Sequence, residues 1–348
     1  MLRRLFGNFR WGVLPVPGRL IAFIFFFSLF ILPLITDDRH TLLILIFTNI
    51  YVIFAVSWDL LSGYTGQVNF GHALFFGAGA YGSALLYKYL GWQPGITIPL
   101  GALIATLVGV VTCLPALRLR PPYLSLLTMA FPLILVGIVY AFPLVTGGSY
   151  GILGLPRIAD SRVVEYYIIL IVMAVSVLIM WKLTDAGSKY VRTGLLFHAI
   201  REDEIAARAS GINTIRYKIL AFAIGGLFAG IAGAFFVHIL SVASPPLFYL
   251  TMSFQTIIWV VFGGIVSIYG AVVGVYTLYP LVEFLRQFPA ISLYRFLIMA
   301  VLVIVILLFM PEGVAVWVRD KIERECPRCK VTNAAWRREC RACSASLH

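Results

Sequence analysis

The sequence predicts an all-α polytopic membrane protein, a bundle of about ten transmembrane helices with a small zinc-ribbon-like C-terminal appendage. Three observations predict it. Hydrophobic residues make up 61% of the 348 and charged residues 12%, against about 45–50% and about 25% in soluble domains. The apolar residues fall into blocks long enough to cross a hydrocarbon core of about 30 Å as helix. Runs such as Leu20–Ile35 and Phe296–Met310 lack the period-two alternation of an outer-membrane barrel.

The blocks run over 20–36, 41–61, 72–90, 94–115, 123–145, 164–182, 216–240, 251–285 and 293–310. Charge sets their direction, because basic loops stay cytoplasmic. The net charge of +12 is therefore read as orientation, and nucleic acid is not an expected partner. One basic cluster is the N-terminus (Arg3, Arg4, Arg10, Arg19), a second the loop from Lys182 to Lys218, a third the tail after Met310. No signal-cleavage chemistry follows the first block, which is read as a retained span.

With the N-terminus inside, six spans bring the loop 183–215 back inside, and an odd number must follow to keep the tail there. Block 251–285, about 52 Å as one helix, is too long for a single crossing. Gly263-Gly264 and Gly270 offer break points, which makes ten spans; eight plus a re-entrant pair is the other count. The expected organisation is a cytoplasmic segment 1–19, a transmembrane domain 20–315 containing the loop 183–215, and a cytoplasmic tail 316–348. Gly226 and Gly230, and Gly270 and Gly274, have the small-xxx-small spacing of closely packed membrane helices.

One stretch departs from bulk apolar helix. Residues 57–82 carry Asp59, Tyr64, Thr65, Gln67, Asn69 and His72 among six glycines. Polar, irregular backbone at membrane depth is tolerated where it is buried in protein or lines a water-filled cavity, and transporters place solute sites at such breaks. These six residues are candidates for the solute pathway. The other reading is a cytoplasmic turn leading into a Gly-rich helix. Residues 146–156, with Ser149 among glycines, are placed outside by parity and read as a tight external turn or a pathway mouth.

The loop residues 192–218 contain a short helical pattern. Ile200, Ile205 and Ala209 can share one face while Arg201, Glu202, Asp203, Glu204 and Arg208 take the other, and Gly211 with Asn213 is a helix stop. A helix resting on lipid should be mainly basic. This one is balanced in charge, which favours docking into a protein partner.

Taken together, GYTGQVNFGHALFFGAGAY (63–81), TGGSYGILGLP (146–156), AIREDEIAARASGINTIRYKILAF (199–222) and GGIVSIYGAVVG (263–274) resemble the permease subunits of ABC importers for branched-chain amino acids, particularly the LivM-like subunit, and the similar urea and short-chain amide permeases. The likeness runs in order over about residues 40–315. It implies a permease for branched-chain amino acids or similar small polar solutes, working by ATP-driven alternating access in the plasma (inner) membrane of a prokaryote with both termini cytoplasmic. It also implies a homologous permease subunit, two cytoplasmic ATPase subunits and an external solute-binding protein as partners. Arg201, Glu202, Glu204, Ala207, Ser210 and Gly211 would then form the contact with the ATPase. The chain has no GxxxxGK[ST] phosphate loop, so ATP would be hydrolysed on the partners. In the fifth span the chain departs from the family pattern, with Arg120-Pro121-Pro122 before Tyr123 and Pro132 in place of an acidic residue.

The tail lies outside that likeness. Cys326, Cys329, Cys340 and Cys343 form two CxxC knuckles of the kind that present four thiolates to one zinc ion, which supplies folding energy to a segment too short for a core. Two disulfides or free thiols are the other reading. Trp336, Arg337, Arg338 and Arg341 form a basic aromatic patch that suits anionic membrane lipid or a stacked nucleic-acid base, or serves only to cap the fold. Cys113 reads as a small buried hydrophobe.

Two further function classes remain. An ion-driven transporter needs ionisable groups within several spans, and only Asp59 and Glu283 offer themselves. A membrane-anchored regulator would act through the tail. No catalytic constellation is present, since His40, His72, His198 and His238 are scattered.

Overall fold

The computed structural model describes residues 17–36, 38–116, 121–187, 192–329, 331–340 and 342–346. Arg3, Arg4, Arg10, Arg120, Arg341 and the side chain of Arg19 lie outside the described residues. The helices are α1 (Pro17–Ile35), α2 (Arg39–Trp58) running into one π-helical turn (Asp59–Gly63), α3 (Ala73–Leu90), α4 (Pro94–Ala116), α5 (Pro121–Ala141), α6 (Pro143–Thr146), α7 (Arg162–Thr184), α8 (Thr193–Glu202), α9 (Glu204–Ala209), α10 (Thr214–Leu240), α11 (Leu250–Gly263), α12 (Ile268–Arg286), α13 (Pro289–Ser292), α14 (Arg295–Phe309) and α15 (Val314–Ile322). Short strands β1 (Ile152–Leu153) and β2 (Val242–Ala243) pair antiparallel, as do β3 (Glu323–Glu325) and β4 (Thr332–Ala334).

Among the described residues, seven segments are long and apolar enough to cross a membrane: α2 with its π turn, α4, α5, α7, α10, α12, and α14 with its continuation to Ile322; α1 and α11 are shorter apolar helices. With the glycine-rich α3 these fill the apolar blocks of the sequence. The long block 251–285 is divided into α11 and α12, at the break offered by Gly263-Gly264. The chain is a multi-pass membrane protein.

The bundle has two distinct ends. At one, the loop end, Asp59 accepts a hydrogen bond from Val266 N (2.8 Å), and Gly18 N donates to Glu323 Oε1 (2.8 Å). The other, the hairpin end, carries β1–β2, Lys88 Nζ donating to Val145 O (2.8 Å), and Gln287 beside His40. The start of α1 and the tail therefore meet at the same end.

Helix α2 is the axis of the core. Every residue from Ile46 to Trp58 is buried. Helices α7, α10 and α12 pack around it, and α10 also forms with α3 and α4 a tight group made possible by missing side chains: a methyl on Gly79 would lie 2.3 Å from Gly230 O. Likewise a methyl on Gly274 would lie 1.9 Å from Trp259 O, so α11 and α12 fold back on each other at backbone distance. The small-residue spacings are thus packing devices.

Prolines inside helices leave carbonyls without an N–H partner, and two are put to use. Pro33 frees Leu29 O, which accepts from Tyr166 Oη of α7 (2.8 Å). Pro132, the departure noted in the fifth span, frees Thr128 O. Gly71 packs so closely there that a methyl on it would lie 1.8 Å from that oxygen. The same stretch of α5 holds Phe70 N through Thr128 Oγ1 (3.1 Å) and Val68 O through Ser125 Oγ (3.1 Å).

Candidate functional site

The polar segment after α2 turns at the loop end, with Gly66 and Val68 exposed, and leads into the glycine-rich α3. Tyr64 N donates to Asp59 O across five residues (2.9 Å), which closes the π turn. The chain then runs irregularly to α3 with Asp59, Tyr64, Thr65, Gln67, Asn69 and His72 all buried. The backbone and side chains of this stretch largely satisfy one another. Thr65 Oγ1 donates to Leu61 O (2.6 Å) and accepts from Gln67 Nε2 (3.0 Å). Asn69 Oδ1 accepts from Gly71 N (2.8 Å), and Asn69 O from Trp58 Nε1 (2.7 Å). Ser57 Oγ donates to Phe54 O (2.7 Å) and sits 2.8 Å from His72 Nε2. With the Ser57 proton so placed, Nε2 is the ring nitrogen that carries the hydrogen. Among the described residues, Asp59 Oδ2 and Gln67 Oε1 are buried without a hydrogen-bond partner.

Asp59 reaches across the loop end to the α11–α12 turn. Val266, whose N–H it accepts, sits in the left-handed region with φ 63°. A β-branched residue there is strained, and the buried carboxylate is what holds it. Tyr64 presents its ring edge to His198 of α8 at 5.3 Å. The polar segment is thus wedged between the α11–α12 turn and the 192–213 loop.

That loop differs from the single amphipathic helix expected. Asp203 takes an extended conformation and caps α9, its Oδ1 accepting from Ile205 N (2.8 Å) and Ala206 N (3.0 Å), so the helix breaks into α8 and α9. The expected shared face is split: Ile200 is buried on α8, whereas Ile205 is 81% exposed and Ala209 is exposed. Of the residues singled out, Ala207 is buried, while Arg201, Glu202, Ser210 and Gly211 are exposed. Glu204 is engaged within the chain, by Arg208 Nη2 (2.9 Å) and Lys218 Nζ (2.6 Å). Burial pushes its carboxyl up, but these two cations outweigh that and hold it below the usual carboxylate value. Gly211 turns with φ 84°, and Asn213 caps α10 through Arg216 N (3.1 Å).

At the hairpin end, a cavity of about 280 Å³ opens between α2, α10, α11, α12 and α14, and none of the six polar residues lines it. Glu283, Arg286 and Arg295 do. Only the intramembrane carboxylate of Glu283 signals this place in the sequence, since its companions come from distant helices.

In the tail, Cys326, Cys329, Cys340 and Cys343 are free thiols whose sulfur atoms all lie within 4.8 Å of one another. Cys326–Cys343 and Cys329–Cys340 are separated by 3.6 and 3.5 Å. A tetrahedron with metal–sulfur bonds of about 2.3 Å has edges of about 3.8 Å, so the four sulfurs fit one ion. Ala342 N and Asn333 Nδ2 point at Cys340 Sγ (3.4 and 3.6 Å), the outer hydrogen bonds that a metal thiolate uses. Backbone N–H groups, that of Ala342 first, draw the Cys340 thiol down to about 6. The cluster can bind a metal ion.

Comparison with known proteins places this arrangement. The family described as the branched-chain amino acid transport system/permease component matches residues 40–306. The chain belongs to this family. The high-affinity branched-chain amino acid transport system permease protein LivM of Escherichia coli is 27% identical over 315 residues, 82% of this chain and 72% of the relative. Its Salmonella typhimurium counterpart is 26% identical over 312 residues, covering 81% and 72%. A probable branched-chain amino acid transport permease protein LivH of Methanocaldococcus jannaschii is 22% identical over 250 residues, covering 67% and 76%. No solved structure matches. The permease family ends at residue 306, so the cysteine cluster lies beyond it. As a member, the chain is the transmembrane permease subunit of an ABC importer.

Proposed function

We propose that this chain and a homologous permease subunit form the pathway for branched-chain amino acids or similar small polar solutes. Two cytoplasmic ATPase subunits drive it between inward- and outward-facing states, and an external solute-binding protein delivers the solute. The loop end faces the cytoplasm of the plasma (inner) membrane, where the basic loop, the start of α1 and the tail all gather. Asp59, Tyr64, Thr65, Gln67, Asn69 and His72 form the inner end of the pathway wall, held there by their contacts with neighbouring backbone and side chains. The four tail thiols hold zinc as a structural ion.

One observation carries the coupling role. Helix α9 stands at the loop end with its acidic residue already paired inside the chain and Ile205 81% exposed. An aliphatic side chain offered so fully beside exposed Glu202, Arg208 and Ser210 is an anchor for a partner's groove. Behind it, the packing of Tyr64 against His198 joins the docking loop to the polar segment, so a push on the loop reaches the pathway wall.

The test is Ile205→Asp in the assembled transporter. Because Ile205 touches little of its own chain, bundle stability should be unchanged, while ATPase subunits should fail to co-purify and uptake should fall at least about tenfold, as loss of an interface anchor does. Undiminished uptake would sink the coupling role.

A further inference from the structure

The cavity at the hairpin end is built unlike the rest of the bundle. Its volume of about 280 Å³ lies at the small end of the range for ligand sites, about 300–1,000 Å³. One wall is aromatic: Tyr51 meets Tyr279 at 4.9 Å and Trp259 at 5.1 Å between ring centroids, with Phe236 at 6.0 Å. The other wall is charged, with Glu283 and Arg286 of α12 facing Arg295 at the start of α14.

Polar atoms here are left over. Among the described residues, the Tyr51 and Tyr279 hydroxyls, the Trp259 indole N–H and the Gln255 amide have no hydrogen-bond partner within the chain. Yet Tyr51 and Trp259 are only 8% and 4% exposed. These groups open on the cavity rather than being sealed in the core, so a ligand that enters in place of water can complete them. The Glu283 carboxylate, 18% exposed, meets Arg286 at 3.5 Å, longer than the ~2.7–2.9 Å of a charge-assisted hydrogen bond. Arg295 spends Nη1 on Ser292 (3.0 Å to its carbonyl) and stacks over Phe296 at 4.7 Å. Its remaining N–H groups are free to grip a carboxylate.

On the permease reading above, we propose that this cavity is a solute site and that it takes a zwitterionic α-amino acid with an apolar side chain. Arg295 receives the α-carboxylate. Glu283 receives the α-ammonium, with the faces of Tyr51 and Tyr279 adding the attraction of aromatic rings for a cation. The aliphatic side chain lies along Phe236 and Trp259, where the Leu240, Val282 and Met299 side chains complete an apolar lining. A neutral solute such as urea would leave a carboxylate and two guanidiniums unanswered in a half-buried site.

The permease, assembled with its ATPase subunits in lipid nanodiscs and without the external binding protein, is titrated with radiolabelled leucine by scintillation proximity. Unlabelled leucine, leucinamide, 4-methylpentanoate and urea compete. Leucine should displace the label, each analogue lacking one charge should be at least about tenfold weaker, as sites built for a polar group reject ligands without it, and urea should be inert. Glu283→Gln and Arg295→Gln should each weaken leucine to a similar degree. Equal competition by leucinamide or 4-methylpentanoate would overturn the zwitterion assignment, and unchanged leucine affinity in both variants would overturn the location. The analogue series uses the unaltered chain, so it decides even if a variant misfolds. Leucine uptake by the full assembly, measured in parallel, separates the two levels: uptake with failed binding criteria removes only this site, whereas absence of leucine uptake removes the amino-acid permease reading itself.

Discussion

The two ends of this bundle treat polar groups in opposite ways. At the loop end, Asp59, Thr65, Asn69 and His72 are spent on neighbouring backbone and side chains, and they hold an irregular chain in place inside an apolar core. At the hairpin end, Glu283, Tyr51 and Trp259 line a cavity with partners missing or distant, and Arg295 beside them has bonded only one of its guanidinium nitrogens. Density of polar residues in the sequence therefore marks the first place, yet it is the second that has capacity to spare for a ligand. The tail is a third case, in which four thiols converge on a point that a metal ion can fill.

Three experiments sharpen that contrast. The largest effect belongs to the tail, where zinc binding to such sites contributes on the order of 10 kcal/mol to folding. Chelation, or Cys340→Ser, should abolish one bound metal per chain and the amide-exchange protection of β3–β4, while the bundle keeps its Tm. A tail that stays protected without metal would make the thiols incidental. Next is Asp59→Leu, which strands the Val266 N–H in the core and should cost about 1–3 kcal/mol, read as a lower Tm in detergent, with Asp59→Asn recovering most of it by keeping an acceptor. If the two variants melt alike, the carboxylate is not what holds the α11–α12 turn. The smallest effect is Glu283→Gln, which should leave Tm unchanged or slightly raised, because binding groups are often kept at some cost in stability. A drop comparable to that of Asp59→Leu would mean that both ends are structural.

Much of the fold could be read from local pattern. Block length alone divided 251–285, since one helix of that reach cannot fit the bilayer, and the glycines named the break. The four cysteines were legible because a metal site is a local spacing. Asp203 was harder: its residue type suits a helix cap as well as a charged helix face, and only the extended backbone at that position decides that α9 is separate and that Ile205 points away. The cavity was out of reach because its walls come from residues 47 to 299, brought together by helix packing that no single stretch encodes. The use of Pro132 could be noticed as a departure but not explained, since its reason is the backbone of Gly71 on another segment.

The bond between Gly18 and Glu323 joins residues 305 apart, and that separation has a bearing on biogenesis. The start of α1 leaves the ribosome long before Glu323, 305 residues further on, is made. At about 5–20 residues per second, α1 waits tens of seconds for the residue that fastens its start. During that interval its apolar length and its bond to Tyr166 must keep it in place. Fastening of α1 is thus a late event that follows the making of all the other helices of the bundle, and the strand that carries Glu323 works as its clasp.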